Sequence, residues 1–187
     1  MNITKNWYWK WDGALSSEFC DLVVNETNWD FARSGTVGKP DGSFSVDDSI
    51  RSTKVVFKDP LTTIGSVLQA YMNAANQYAE WNYVLSNMEE VQIGEYSEDE
   101  KSYYSWHIDS APPQNGMQRK LSGVVLLSDP SDFEGGKFEM RDLEKENLLP
   151  VKGSILVFPS FIEHQVTRIT KGTRYSAVAW ISGPAFR

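Results

Sequence analysis

An all-β core backed by supporting N-terminal helices, a β-sandwich or barrel, is the architecture this sequence points to. From residue 88 onward about seven short strand-like runs follow one another to the end of the chain. Glycine and proline punctuate them, notably Gly135-Gly136, Pro150, Gly153, Pro159 and Gly172. Only two helical stretches precede them. Helices followed by short strands, with no repeat, linker or second core, argue for one domain over residues 1–187. Its helical support spans 1–87 and its strand core 88–187.

The elements follow in order. Trp7, Tyr8, Trp9 and Trp11 make the start aromatic-rich, which suits an edge strand leading into the fold. Ser16 reads as a helix N-cap, with Phe19, Leu22 and Val23 at helical spacing behind it and an end near residues 25–28. Residues 33–48 are polar and turn-rich, with Gly35, Gly38, Pro40 and Gly42. A loop of this length is either disordered or a lid ordered by substrate. Thr53, Val55 and Phe57 alternate with lysines, a strand pattern. Asp59-Pro60 reads as a helix start, and Leu61, Ile64, Leu68, Tyr71, Met72 and Ala75 form its apolar stripe. The later strands are expected at 90–96, 103–109, 120–128, 137–140, 154–158, 164–170 and 174–182.

Bulk properties exclude several function classes. A net charge of −7 speaks against a sequence-blind grip on nucleic acid. Cys20 is the one cysteine, so no internal disulfide forms and a reducing, cytoplasmic setting fits. No apolar run approaches a membrane span, and no secretory signal is visible at the N-terminus.

Chemistry concentrates in Tyr104-Ser105-Trp106-His107-Ile108-Asp109. On a strand, residues two apart share a face, so His107 and Asp109 can reach one metal. The pair alone also fits an ion-paired or core histidine. His164, the only other histidine, sits after an apolar strand and turn at residues 153–160. It can supply a third ligand from across the barrel. Two histidines and one carboxylate on one face of a metal suit non-heme Fe(II) and O₂ chemistry. In 90–96, Val91 and Ile93 point one way while Gln92, Gly94 and Tyr96 point the other, toward the interior if helices cover the first face.

Arg174 lies ten positions after His164. If residues 169–173 form a hairpin centred on Lys171, then position 164 pairs with 178 and 168 with 174. His164, Arg174, Ser176, Val178 and Trp180 then share one face. Arg174 would stand about 14 Å along its strand from the position opposite His164, at roughly 3.4 Å per residue. A dicarboxylic keto acid can span that gap, with Arg174 as its bidentate partner. The same register sets Arg168 against Arg174, a like-charge pair that is destabilising.

These residues resemble the Fe(II)/2-oxoglutarate-dependent oxygenases, in particular the prolyl 4-hydroxylase branch and its bacterial PKHD-type hydroxylases. Four stretches carry the resemblance over roughly residues 88–182. They are the His-x-Asp segment at 104–109, the central hairpin at 121–136, the distal histidine strand at 153–166, and residues 172–180 around Arg174.

The resemblance implies a double-stranded β-helix (jelly-roll) core. It implies iron ligation by His107, Asp109 and His164, and a grip by Arg174 on the distal carboxylate of 2-oxoglutarate. Tyr96 assists, with Ser176 or Ser122, and Tyr104 and Trp180 line the substrate side. The implied reaction uses Fe(II), 2-oxoglutarate and O₂, with ascorbate in support, to hydroxylate a substrate carbon. Asp109 favours hydroxylation, since related halogenases lack the carboxylate. A prolyl residue of a protein or peptide is the first substrate expectation. A free amino acid, another small molecule or a catalytically silent binding module are the alternatives.

Overall fold

The computed structural model describes residues 6–38, 43–110, 112–141, 143 and 147–186. The first strand, β1 (Trp9–Trp11), is an edge strand as expected. Helix α1 (Ser17–Asn25) starts where Ser16 places it, and the Ser16 Oγ accepts a hydrogen bond from the Phe19 amide at 3.2 Å. Cys20 and Val23 form its buried face, while Leu22 faces outward.

Residues 33–48 are more ordered than a plain loop. They hold three two-residue strands, β2 (Arg33–Ser34), β3 (Val37–Gly38) and β4 (Phe44–Ser45). β3 pairs with β4, and residues 39–42 between them lie outside the described residues. Strands β5 (Arg51–Ser52) and β6 (Lys54–Lys58) follow.

Helix α2 (Thr63–Tyr78) begins later than Asp59-Pro60 suggested. Asp59 instead closes the turn before it, its Oδ1 accepting from the Leu61 amide at 2.7 Å. Leu61 therefore falls outside the helix and stands 87% exposed. The rest of the stripe behaves as amphipathic spacing requires: Ile64, Leu68, Met72 and Ala75 are all buried.

The remaining strands are β7 (Val91–Ser97), β8 (Tyr103–His107), β9 (Met117–Leu126), β10 (Phe133–Gly135), β11 (Phe138–Met140), β12 (Ile155–Pro159), β13 (His164–Val166) and β14 (Ile169–Pro184). Every expected run contains a strand, with one rearrangement. The run 164–170 is two strands in two different sheets, and the hairpin around Lys171 does not exist: β14 runs straight through it. The cause is visible in the burial pattern. His164 and Val166 are buried two apart, but the next buried residue is Ile169, so the period-2 alternation breaks where the chain crosses between sheets. Arg168 sits at that crossing. Its guanidinium lies 4.2 Å from the Tyr103 ring centroid and donates to the Lys101 carbonyl. The feared Arg168–Arg174 pair is absent because Arg174 pairs with Tyr96.

All named strands pair antiparallel. Among the described residues the large sheet runs β1-β12-β9-β14-β7-β6-β2, with β10 attached to β14, and the small sheet runs β11-β13-β8-β5. Residues before position 88 thus supply strands to both sheets as well as the two helices. This is the expected all-β jelly-roll core with supporting helices.

Period-2 geometry sorts the large sheet into two faces. Val91, Ile93, Leu121, Val125, Ile155, Val157, Ala177 and Ala179 pack under Leu68 and Met72 of α2. The close approach needs Gly123, where a Cβ would lie 2.8 Å from the Met72 Sδ. Tyr96, Val124, Leu126, Leu156 and Phe158 face the other way, onto Phe138, Met140 and Val166 of the small sheet. Ser122, Arg174, Ser176 and Trp180 share that inward parity, so the chain's polar inner face is built into one wall of the barrel.

Candidate metal centre

The centre is built where the two central strands of the small sheet, β13 and β8, respectively begin and end. His164 opens β13 and is the cross-strand neighbour of His107 at the end of β8. It therefore arrives from the adjacent strand, not from across the barrel. Tyr104 pairs with Val166 in the same ladder, so three residue steps on β8 match two on β13. This bulge turns Tyr104 and His107 to one face, where their rings stack with centroids 3.5 Å apart. Asp109 lies beyond the end of β8, so strand alternation does not place it. Its amide donates to the Ser160 carbonyl at 2.9 Å, which brings the carboxylate back to the histidines.

The ligating atoms of His107, Asp109 and His164 all lie within 4.8 Å of one another. Asp109 Oδ1 is 3.7 Å from His107 Nε2, and its Oδ2 is 3.5 Å from His164 Nε2. Each imidazole has its other nitrogen engaged. His107 Nδ1 donates to the Ser105 carbonyl at 2.7 Å, and His164 Nδ1 to the Ile162 carbonyl at 2.9 Å. A carbonyl can only accept, so both Nδ1 atoms carry a proton, and both Nε2 atoms face the gap between the three side chains. Burial and the neighbouring His164 push the His107 pKa well down, which keeps the ring neutral. Burial pushes the Asp109 pKa up, but the charge that His164 or His107 carries when protonated, together with Arg119 and the Ser122 hydroxyl, outweighs it and the net shift is downward. Neutral imidazoles and an ionised carboxylate are the forms that bind a divalent metal.

Arg174 occupies the barrel interior at 1% exposure. Among the described residues no carboxylate pairs with it, and its Nη1 is buried without a hydrogen-bond partner. Its guanidinium lies 5.4 Å from the Tyr96 ring centroid. Gly136, at φ +57°, makes room: a Cβ there would lie 2.9 Å from Arg174 Cδ. A buried, uncompensated cation is costly unless an anion joins it. The donor set thus fits a divalent metal at the triad and a carboxylate at Arg174.

The other named residues take places around these two. Ser176 is buried on β14, two residues along from Arg174 on the same face. Ser122 is found beside Asp109, to whose Oδ2 it donates at 2.7 Å. Trp180 is the β14 partner of Ser122 and is 8% exposed, with its Nε1 unpartnered. Tyr104 stacks on His107, and burial pushes its phenol pKa far up.

Three further residues of the neighbourhood take roles that the sequence does not assign them. Arg119 lies 4.0 Å over the Trp180 ring and is held by Glu89, with Nε donating to Oε1 at 2.9 Å. Arg51 is 5% exposed and lies 4.6 Å from the Tyr104 ring centroid. Ser160 Oγ is 3.0 Å from Ser122 Oγ. These contacts arise from strand pairings distant in sequence. A spacing rule finds a pair within one strand and is blind to them.

A family model described as the 2OG-Fe(II) oxygenase superfamily matches residues 91–182. The PKHD-type hydroxylase YbiX of Escherichia coli is 30% identical over 131 residues, covering 66% of this chain and 57% of that protein. A PKHD-type hydroxylase of Picosynechococcus sp. is 41% identical over 80 residues, covering 42% of this chain and 36% of that protein. The chain thus spans about a third to a little over half of these relatives' length. Among solved structures, the viral collagen prolyl hydroxylase of Paramecium bursaria Chlorella virus-1, in its 2OG complex, superposes with a TM-score of 0.69. It shares 20% sequence identity, over 96% of this chain and 97% of that one.

Proposed function

We propose that this chain is a member of the 2OG-Fe(II) oxygenase superfamily, whose model it matches over residues 91–182, and that it hydroxylates a prolyl residue of a protein or peptide. The observation that carries the reading is the His107–Asp109–His164 cluster together with the buried Arg174, which has no carboxylate partner among the described residues. In this reading the three side chains hold Fe(II) through two Nε2 atoms and a carboxylate oxygen. Arg174 takes the distal carboxylate of 2-oxoglutarate, with Tyr96 and Ser176 beside it. The bound iron and keto acid supply the oxidising chemistry, consuming O₂ and releasing succinate and CO₂.

The protein's own share is position and shelter. The Nδ1 hydrogen bonds fix both imidazole planes before metal arrives. Tyr104 and Trp180 are held near the triad by stacked neighbours, Tyr104 by His107 and Arg51 and Trp180 by Arg119, so they present rigid aromatic edges to a substrate ring. The Trp180 Nε1 is buried and has no hydrogen-bond partner among the described residues. The collagen prolyl hydroxylase neighbour supports the prolyl assignment. The lone, buried Cys20 supports a cytoplasmic setting, and among the described residues no helix is long and apolar enough to cross a membrane.

The test compares succinate formation with a proline-rich peptide, with free L-proline and with no addition, at fixed Fe(II), 2-oxoglutarate and ascorbate. The peptide is expected to stimulate turnover and to gain the mass of one oxygen atom at proline. Stimulation by free proline alone would move the assignment to an amino-acid hydroxylase. Keto-acid turnover that responds to neither would remove proline from the proposal.

A further inference from the structure

We propose that Ser122, backed by Ser160, is a positioning residue that holds Asp109 as a one-oxygen metal ligand and keeps the opposite metal positions open for the keto acid. The inference rests on the reading of the triad as an iron site and assigns Ser122 work on the metal side instead of at the 2-oxoglutarate carboxylate.

Four contacts carry it. Ser122 Oγ donates to Asp109 Oδ2 at 2.7 Å. Ser160 Oγ lies 3.0 Å from Ser122 Oγ. The Ser160 carbonyl accepts from the amides of Asp109 and Ser110, both at 2.9 Å. Ser122 and Ser160 are each 0% exposed, so no water competes for these groups. The carboxylate is held from its side chain and from the backbone beneath it by residues of two other segments, β9 and the turn after β12.

The geometry has a chemical consequence. A hydroxyl has one proton to donate. Ser122 accepts from Ser160 when it donates to Asp109, and such a chain polarises the final bond. The bond fixes the plane of the carboxylate and draws charge onto Oδ2. Oδ1 then remains the free acceptor on the metal side. Two-oxygen binding would require Oδ2, whose acceptance from Ser122 fixes the carboxylate plane, to turn its second lone pair to the metal within that fixed plane. A triad using one carboxylate oxygen occupies three metal positions and leaves room for a chelating keto acid and O₂.

Ser122→Ala removes that restraint. Oδ2 becomes free to join Oδ1 on the metal and to compete with the keto acid. The variant is therefore expected to keep metal affinity close to wild type while its 2-oxoglutarate affinity falls about tenfold, the usual scale for a hydrogen bond to a charged group. A residue that merely fills space would weaken both ligands together or neither.

The experiment uses the full chain loaded with Co(II), whose visible bands report coordination number without turnover. Co(II) is titrated into metal-free protein, followed by 2-oxoglutarate, for wild type, Ser122→Ala and Ser160→Ala. Retained Co(II) affinity in Ser122→Ala, an altered Co(II) spectrum and a roughly tenfold weaker keto acid would support the inference. An unchanged keto-acid affinity, or equal losses of both ligands, would overturn it. Ser160→Ala leaves the Ser122 bond in place and is expected to shift keto-acid affinity a few-fold in the same direction. If Ser122→Ala does not fold, that variant decides the question, and an unshifted affinity overturns the inference. Wild-type protein that binds no Co(II) would instead remove the metal-site reading itself.

Discussion

His107→Ala ends the Fe(II)-dependent formation of succinate. Removing a group that only orients a metal ligand can already cost about 10–100-fold where no other atom takes up the lost position. Loss of a ligand itself goes further, so activity is expected to fall by more than about 100-fold and to stay low at saturating iron. The change should leave the fold in place, because His107 closes a strand at the rim of the small sheet and its main-chain pairing with His164 does not need the imidazole. The check is succinate release against Fe(II) concentration, with circular dichroism on the same samples. Turnover like that of wild type would show that the three side chains do not form the working metal site.

Arg174→Met separates ligand binding from stability. Two charge-assisted hydrogen bonds to a carboxylate would be lost, together on the order of 3 kcal/mol or more, which is about 100-fold in the 2-oxoglutarate requirement. In the ligand-free protein the same substitution replaces a buried cation, without a carboxylate partner among the described residues, by an apolar chain of similar length. The melting temperature of the ligand-free variant should therefore match or exceed that of wild type. Adding 2-oxoglutarate with metal should raise the melting temperature of wild type but not of the variant. A normal keto-acid requirement would place the anchor elsewhere. Arg168 is a poor substitute, since it is exposed and engaged with Tyr103 and the Lys101 carbonyl. Arg51, buried beside Tyr104, would be the residue to examine next.

What the sequence disclosed follows the range of the interactions involved. Local patterns read well. Ser16 caps its helix, Leu68 and Met72 lie on a buried stripe, and Val91 and Ile93 face the helices while Tyr96 faces inward. Each depends on spacing within one element. Two expectations that needed a pairing between elements failed. The His164–Arg174 hairpin assumed that neighbouring runs are neighbouring strands. In a jelly-roll the chain instead crosses between sheets, here just after Val166. The strand 103–109 was expected to carry Asp109 by alternation, but the bulge in β8 and the early end at His107 hand that task to Ser160. Bulges and tertiary hydrogen bonds leave little trace in one sequence, because any small polar residue can serve. The triad was legible all the same. The chain has only two histidines, one two residues from Asp109 and the other just after the apolar strand within 153–160.

An anaerobic optical titration probes the iron and keto-acid reading at its root. Fe(II) is added to metal-free protein, then 2-oxoglutarate, while the visible metal-to-ligand charge-transfer region is followed. A band that grows to saturation at one equivalent of each, and that is missing from His107→Ala, is expected. A folded protein that binds Fe(II) and 2-oxoglutarate without such a band, or binds neither, would contradict the assignment of His107, Asp109, His164 and Arg174 to one site.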